Sequence, residues 1–259
     1  MIQFIKEYKG DDNVFAESDF YVKDQLNSNN TIEIDLEQTE ANSILENNNI
    51  YIDEDGLLAS GTETTQNTWM DAKIGDFAVT PRNGKVVELN ALWYNALKTV
   101  EHLANKFETK EVADVYRKTA AKHQKVFEEK FFNKKKKSLY DVLGDDKIRP
   151  NQLFSIATTY SVIKPSSEIG KTIFKTVTTK LLTKYGLRTL AKGEEGYIPY
   201  YEGDPVKRDM AYHQGIVWVW LIGLYADALK NIIDLESEDI VSMMKELQNR
   251  AYELYNKFR

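Results

Sequence analysis

The stretch "TPRNGKVVELNALWYNALKTVEHLANKF", Thr80 to Phe107, passes from a Pro/Gly loop into a helical rhythm. From Glu88 onward, apolar residues fall at Leu89, Leu92, Trp93, Ala96, Leu97, Val100, Leu103 and Phe107. That i, i+3, i+4 spacing predicts a helix with one buried face. A second helical pattern runs from Lys110 to Phe131, and "NKKKKS" after it reads as a solvated turn. "SLYDVLGDDKIRP" predicts a short extended piece and a loop. Helical patterns resume at Asn151–Ile163 and, behind Pro165 with Ser166 or Ser167 as cap, at Glu168–Leu182. Gly186–Ala211, rich in Gly, Pro and Tyr, shows no regular period and reads as a long loop, a class that is usually functional or disordered. Helices are expected again over Gln214–Ile232 and Glu236–Lys257. These elements pair as three antiparallel helix hairpins with long loops between pairs.

Upstream, Ile2–Tyr8, Phe15–Asn27 and Glu37–Asn47 are weaker helical candidates, and "NNNIYIDEDGLLAS" resembles a short hairpin. No tandem repeat and no compositional break divides the chain, so residues 1–259 read as one all-α domain. With 42% hydrophobic and 29% charged residues, the chain can fold around a real core. A net charge of −6 argues against a nucleic-acid groove, which needs a basic surface. The apolar run Ile216–Ala226 is too short to cross a bilayer, and the first residues lack the pattern of a secretory signal. The chain has 0 cysteines, which excludes disulfides and thiolate metal sites and is compatible with the cytoplasm. Its 3 histidines, His102, His123 and His213, have no metal-ligand spacing. Neither a metal nor a cofactor is expected.

Trp69 and Asp71 lie in a loop ahead of the first helix. By themselves they fit two readings: a helix-capping Asp beside a packed Trp, or a working carboxylate beside an aromatic wall. The loop that follows favours the second, because Arg82 and Lys85 precede Glu88, Asn90 and Trp93 at the helix start. Sugars require such mixtures, with carboxylates and amides for hydroxyls and aromatic faces for the apolar side of the ring. "RDMAYHQGIVWVWLIGLY", Arg208 to Tyr225, repeats the design, with Tyr212, His213 and Gln214 at a loop-to-helix junction. Trp218, nearer the loop, is expected to line the pocket while Trp220 packs; His213 is expected to bind, whereas His102 and His123 read as structural.

The segments "DEDGLL" (Asp53–Leu58), "TWMDAKIGDFAVTPRNGKVVELNALWYNAL" (Thr68–Leu97), "IRPNQLF" (Ile148–Phe154), "YGLRTL" (Tyr185–Leu190) and "YYEGDPVKRDMAYHQGIVWVWLIG" (Tyr200–Gly223) occur in that order. Together they resemble the C-terminal amylo-α-1,6-glucosidase domain of glycogen debranching enzymes. The resemblance implies an (α/α)6 toroid of the six-hairpin glycosidase type. It also implies hydrolysis, with inversion, of the α-1,6-linked glucose left at a branch stub of glycogen or another branched α-glucan. By position Asp71 matches the family's general acid, and a neighbouring Trp69 suits an acid that must hold its proton. The matching substrate-binding residues are Trp69, Arg82, Glu88, Asn90, Trp93, Asp209, His213, Gln214 and Trp218.

Two departures stand out. Val219 replaces the Pro that the family usually carries between its two tryptophans. The family's general base, a Glu in an Ile-Ser-Glu-Ile-Phe-Asp segment, has no counterpart before the chain ends at "NRAYELYNKFR". With about seven or eight helical segments, the expectation is an incomplete barrel, impaired in catalysis, that associates with itself or with the rest of its domain. Neither Glu88 nor Glu202 has spacing that suits a substitute base. The competing readings are a non-catalytic α-glucan-binding module and a helical scaffold for protein partners; pocket-type loops and the lack of repeats argue against the scaffold.

Overall fold

A computed structural model describes residues 49–233 and Asn249. The expected helices Ile2–Tyr8, Phe15–Asn27, Glu37–Asn47 and, apart from Asn249, Glu236–Lys257 lie outside those residues. The hairpin expected near residue 50 is present: β1 (Ile50–Ile52) pairs antiparallel with β2 (Leu58–Ser60), Ile50 opposite Ser60. Its acidic turn is tied down by charge. Lys85 reaches Asp53 at 2.6 Å and Asp55 at 2.7 Å, and Lys130 reaches Asp55 at 2.6 Å. A second small hairpin, β3 (Lys73–Ile74) with β4 (Phe77–Ala78), follows.

α1 (Val87–Phe107) and α2 (Lys110–Phe131) form the central antiparallel hairpin. α1 starts behind Val86, with Glu88 in its first turn and Lys106 in its last, both favourable to the helix dipole. α2 starts at Thr109, whose hydroxyl accepts from the Val112 N–H. The buried face of α1 is Val87, Ala91, Tyr94, Leu97 and Ala104, rotated from the expected stripe; Leu92, counted as core, is 41% exposed. His123 of α2 is structural, as expected: its ring nitrogens lie 3.0 Å from the carbonyl oxygens of Gly56 and Asn90, binding the first hairpin to α1.

The lysine-rich turn joins β5 (Phe132–Asn133) to β6 (Ser138–Leu139). It is not wholly solvated, because Lys136 pairs with Asp146 and Glu194 at 3.0 Å each. The helix expected over Asn151–Ile163 is cut short to a 3-10 turn (Pro150–Leu153) and α3 (Phe154–Ala157). Side-chain hydroxyls compete with the helical ladder there: Thr158 donates to the Tyr160 carbonyl at 3.1 Å and Ser161 to the Thr158 carbonyl at 2.8 Å. α4 (Glu168–Lys180) is capped by Ser167 rather than Ser166, the hydroxyl accepting from the Gly170 N–H.

The expected long loop is real over residues 189–204, which carry no helix or strand, but regular elements occupy both of its ends. β7 (Leu182–Thr183), β8 (Gly186–Arg188) and β9 (Val217–Trp218) form one antiparallel sheet, with Leu187 opposite Trp218. Between β8 and β9 lies α5 (Pro205–Ala211), opened by an Asp204 cap and Pro205 in the first turn. α6 (Leu221–Ile232) therefore begins later than the expected Gln214, since Val217 and Trp218 are drawn into the sheet.

Among the described residues there are six α-helices. Helices carry the core, which gathers Phe127, Phe131, Leu153, Ile156, Ile173, Val177, Leu187 and Leu221. Apart from the hairpin near residue 50, the all-α expectation omitted the short antiparallel pairs that shape the loops. Among the described residues, no helix is long and apolar enough to cross a membrane.

Candidate functional site

The site begins at the loop "TPRNG". Gly84 exchanges backbone hydrogen bonds with Ser60, 2.8 and 2.9 Å, and the Leu143 N–H donates to the Lys85 carbonyl at 3.0 Å. The Val87 N–H donates to the Asp141 carbonyl, also at 3.0 Å. These contacts bring Asp141 beneath Arg82. Both are buried, and Arg82 Nε donates to Asp141 Oδ2 at 2.6 Å. The other face of the guanidinium makes a bidentate pair with Glu88, itself 2% exposed. Burial alone pushes the Arg82 guanidinium down, but Asp141 and Glu88 outweigh it and hold it above its ordinary value. Burial pushes the Glu88 carboxyl up, and Arg82 offsets only part of this because Asp141 shares the same guanidinium and adds repulsion.

Arg149 approaches Asp141 from the opposite side, Nε to Oδ2 3.6 Å. Its remaining N–H groups donate to the carbonyls of His213 (2.6 Å) and Thr189 (3.1 Å) and to Gln214 Oε1 (2.9 Å). Gln214 Nε2 in turn donates to the Val79 carbonyl at 3.1 Å. The "HQG" turn is thus clamped onto the strand that leads into the "TPRNG" loop. It closes on Gly215 at φ +135°, where a Cβ would stand 2.5 Å from the Tyr197 ring and 2.9 Å from the Ile198 oxygen.

Above this charge cluster lies a cavity of about 510 Å³. Trp69, Trp220, Phe154, Leu92 and Leu89 wall it, Gln66 and Thr68 line its rim, and Glu88 is the sole carboxylate among its lining residues. Trp69 meets Trp220 edge-on at 5.0 Å and His213 at 5.3 Å, and its indole N–H donates to Asn151 Oδ1 at 2.7 Å. His213 is buried and lies parallel to Trp218, with ring centroids 5.9 Å apart. Burial, with Arg149 and Arg82 adding to it, lowers the His213 imidazole to about 4, so it is neutral at physiological pH.

A model of the amylo-alpha-1,6-glucosidase family matches residues 4–258. The chain belongs to the amylo-alpha-1,6-glucosidase family. Among curated proteins, the glycogen debranching enzyme of Saccharomyces cerevisiae (strain ATCC 204508 / S288c) is 30% identical over 221 residues, covering 67% of this chain. The chain spans 14% of that relative's length.

The positions named from sequence separate into groups. Trp69, Arg82, Glu88, His213 and Gln214 converge around the cavity and the charge cluster beneath it, with Trp218 stacked on His213. Asn90 does not face the cavity. It is fully buried, its amide bonding the Leu58 N–H and carbonyl (2.8 and 2.9 Å) and the Val86 carbonyl (2.8 Å), which holds β2 on α1. Trp93 packs against the core, and Asp209 sits on α5, neither among the lining residues. The two tryptophans exchange the roles expected of them: Trp220 lines the cavity at 46% exposure, while Trp218 donates its indole N–H to the Tyr212 carbonyl at 3.1 Å.

Asp71 caps no helix, since α1 starts behind Val86 and β3 and β4 intervene. Its side chain is exposed and outside the cavity wall. Its neighbours are held: Met70 is fully buried, and the Ala72 carbonyl accepts from the Val79 N–H at 3.0 Å and from Gln66 Nε2 at 3.1 Å. Sequence reasoning missed Asp141, Arg149 and Asn151. The one available signal was the concentration of polar residues in "IRPNQLF", an unusual choice for a segment read as a core helix.

Proposed function

We propose that this chain holds the α-1,6-linked glucose left at a branch stub of an α-glucan and contributes the acid side of its hydrolysis. The observation that carries this reading is the cavity, roomy enough for a sugar ring and walled by Trp69, Trp220 and Phe154. Indole faces suit the apolar face of a glucose ring, and Gln66 and Thr68 suit its hydroxyls. Family membership supports the substrate class. In the proposed mechanism Asp71, carried two residues beyond Trp69, protonates the leaving glycosidic oxygen. A base across the sugar then takes a proton from the water that attacks the anomeric carbon, roughly 6.5–9.5 Å separating the two carboxyl groups, so the anomeric configuration inverts. Glu88 is not assigned as that base, because Arg82 engages both of its oxygens. The antiparallel packing of α1 and α2 is consistent with one hairpin of an (α/α)6 toroid.

A second reading, an α-glucan-binding module without turnover, is favoured by the same fact: the cavity's carboxylate is neutralised by Arg82. Incubation with a branched limit dextrin separates the two. Free glucose that disappears in Asp71→Asn supports hydrolysis, whereas binding without release supports the module. An inability to bind any α-glucan contradicts both.

A further inference from the structure

We propose that Asp141, acting through Asn151, is a positioning residue for the Trp69 wall of the cavity. An indole N–H is a donor with no accepting capacity. Its 2.7 Å bond therefore fixes the Asn151 oxygen on Trp69 and turns the amide nitrogen the other way. There the nitrogen donates to Asp141 Oδ1 at 2.8 Å and lies 3.6 Å from Met70 Sδ. The amide is fully buried, so a flip would set its nitrogen against the indole N–H and its oxygen against a carboxylate. The carboxylate cannot swing away to relieve this. Oδ1 also accepts from Arg82 Nη2 at 3.1 Å, Oδ2 accepts from Arg82 Nε at 2.6 Å, and Arg149 Nε stands 3.6 Å from Oδ2. The Arg82 guanidinium thus fixes Asp141, with Arg149 adding a longer ion pair, Asp141 fixes the sense of the Asn151 amide, and the amide selects the angle of the indole.

The aromatic contacts of Trp69 would not select that angle. Its edge-on neighbours, His213, Trp218 and Trp220, lie at 5.3, 6.3 and 5.0 Å, distances that tolerate rotation of the ring. A directional hydrogen bond does not. The consequence for sugar affinity rests on the function proposed above; the positioning of the ring does not.

The test uses the full chain with ¹⁵N-labelled tryptophan in three variants: Asn151→Leu, Trp69→Phe and the double variant. The Trp69 indole signal, assigned by its absence in Trp69→Phe, is expected to exchange slowly in the wild type and about tenfold faster or more in Asn151→Leu. Glycogen affinity is expected to fall up to about tenfold in each single variant, the net worth of one hydrogen bond. The double variant is expected to lose no more than Trp69→Phe does. Additive losses, which a merely structural Asn151 would give, overturn the proposal. So does an unchanged indole exchange rate. Should Asn151→Leu fail to fold, Asp141→Asn replaces it: an amide at 141 can donate as well as accept, which frees the Asn151 amide to flip and speeds indole exchange, and an unaltered rate again overturns the proposal. If the wild type binds no glycogen, the function proposed above fails while indole exchange still decides the positioning role.

Discussion

Asp71, proposed as the acid, and His213 experience very different surroundings. Asp71 is exposed and caps nothing, so Asp71→Asn is expected to move the unfolding free energy by less than about 0.5 kcal/mol. Any glucose release is nevertheless expected to fall by orders of magnitude. A substantial loss of melting temperature in that variant would show that the carboxylate is structural. His213 is the opposite case. Its folded-state value is depressed to about 4 from 6.5, so the unfolded chain binds the proton more readily. Stability is therefore full above about pH 6.5 and declines as pH falls toward 4, by up to ~3 kcal/mol at pH 4 from this residue. His123, also lowered by burial, acts in the same sense. Asp55, held below its ordinary value by Lys130 and Lys85 against the opposing effect of burial, loses its contribution only below that value of 3.8. Urea titrations at pH 7 and pH 4.5 should show the decline, and His213→Gln should flatten it; an equal decline in the variant contradicts the assignment. The polar residues at loop–helix junctions, among them Arg82, Glu88, His213 and Gln214, were legible because such residues there need a reason. Asp141 and Arg149 were not, since each meets its partner across dozens of residues and only the folded loops bring them together.

At the scale of elements, α1, α2 and α4 follow the amphipathic period and the cap residues. Ser167→Ala is expected to cost ~1 kcal/mol, because its hydroxyl accepts from the Gly170 N–H and donates to the Lys164 carbonyl. Gly170→Ala is expected to cost more despite the better helix propensity of alanine. A Cβ there would stand 2.4 Å from the Pro165 oxygen and 2.6 Å from the Lys164 oxygen, and relieving that overlap costs about 1–3 kcal/mol. Equal or higher melting temperature in Gly170→Ala would refute this packing. Two segments were misjudged from sequence for different reasons. α5 has a clear Asp-Pro start but too few residues to show a period, and the start of α6 is displaced by sheet pairing that depends on β8, about thirty residues upstream. The surplus apolar residues of α1 were a readable hint: Leu89 and Leu92 exceed what the core needs because they line the cavity.

At the scale of the whole molecule, the hairpin loops meet over a buried cluster of two arginines and two carboxylates, and the cavity rests on it. Removing one member leaves an uncompensated buried charge, so Glu88→Leu is expected to lower the unfolding free energy by about 3–5 kcal/mol. A near-neutral result in denaturant titration would mean that Glu88 is free for substrate, as the sequence suggested, and not a structural partner of Arg82. The proposed function requires the aromatic cavity to hold an α-glucan. Co-sedimentation with glycogen decides this when the wild-type chain is compared with Trp220→Ala, a substitution at a half-exposed side chain that should leave the core intact. Wild-type binding that weakens about tenfold or more in Trp220→Ala is the predicted result. Binding that is absent in the wild type, or equal in both proteins, would contradict it.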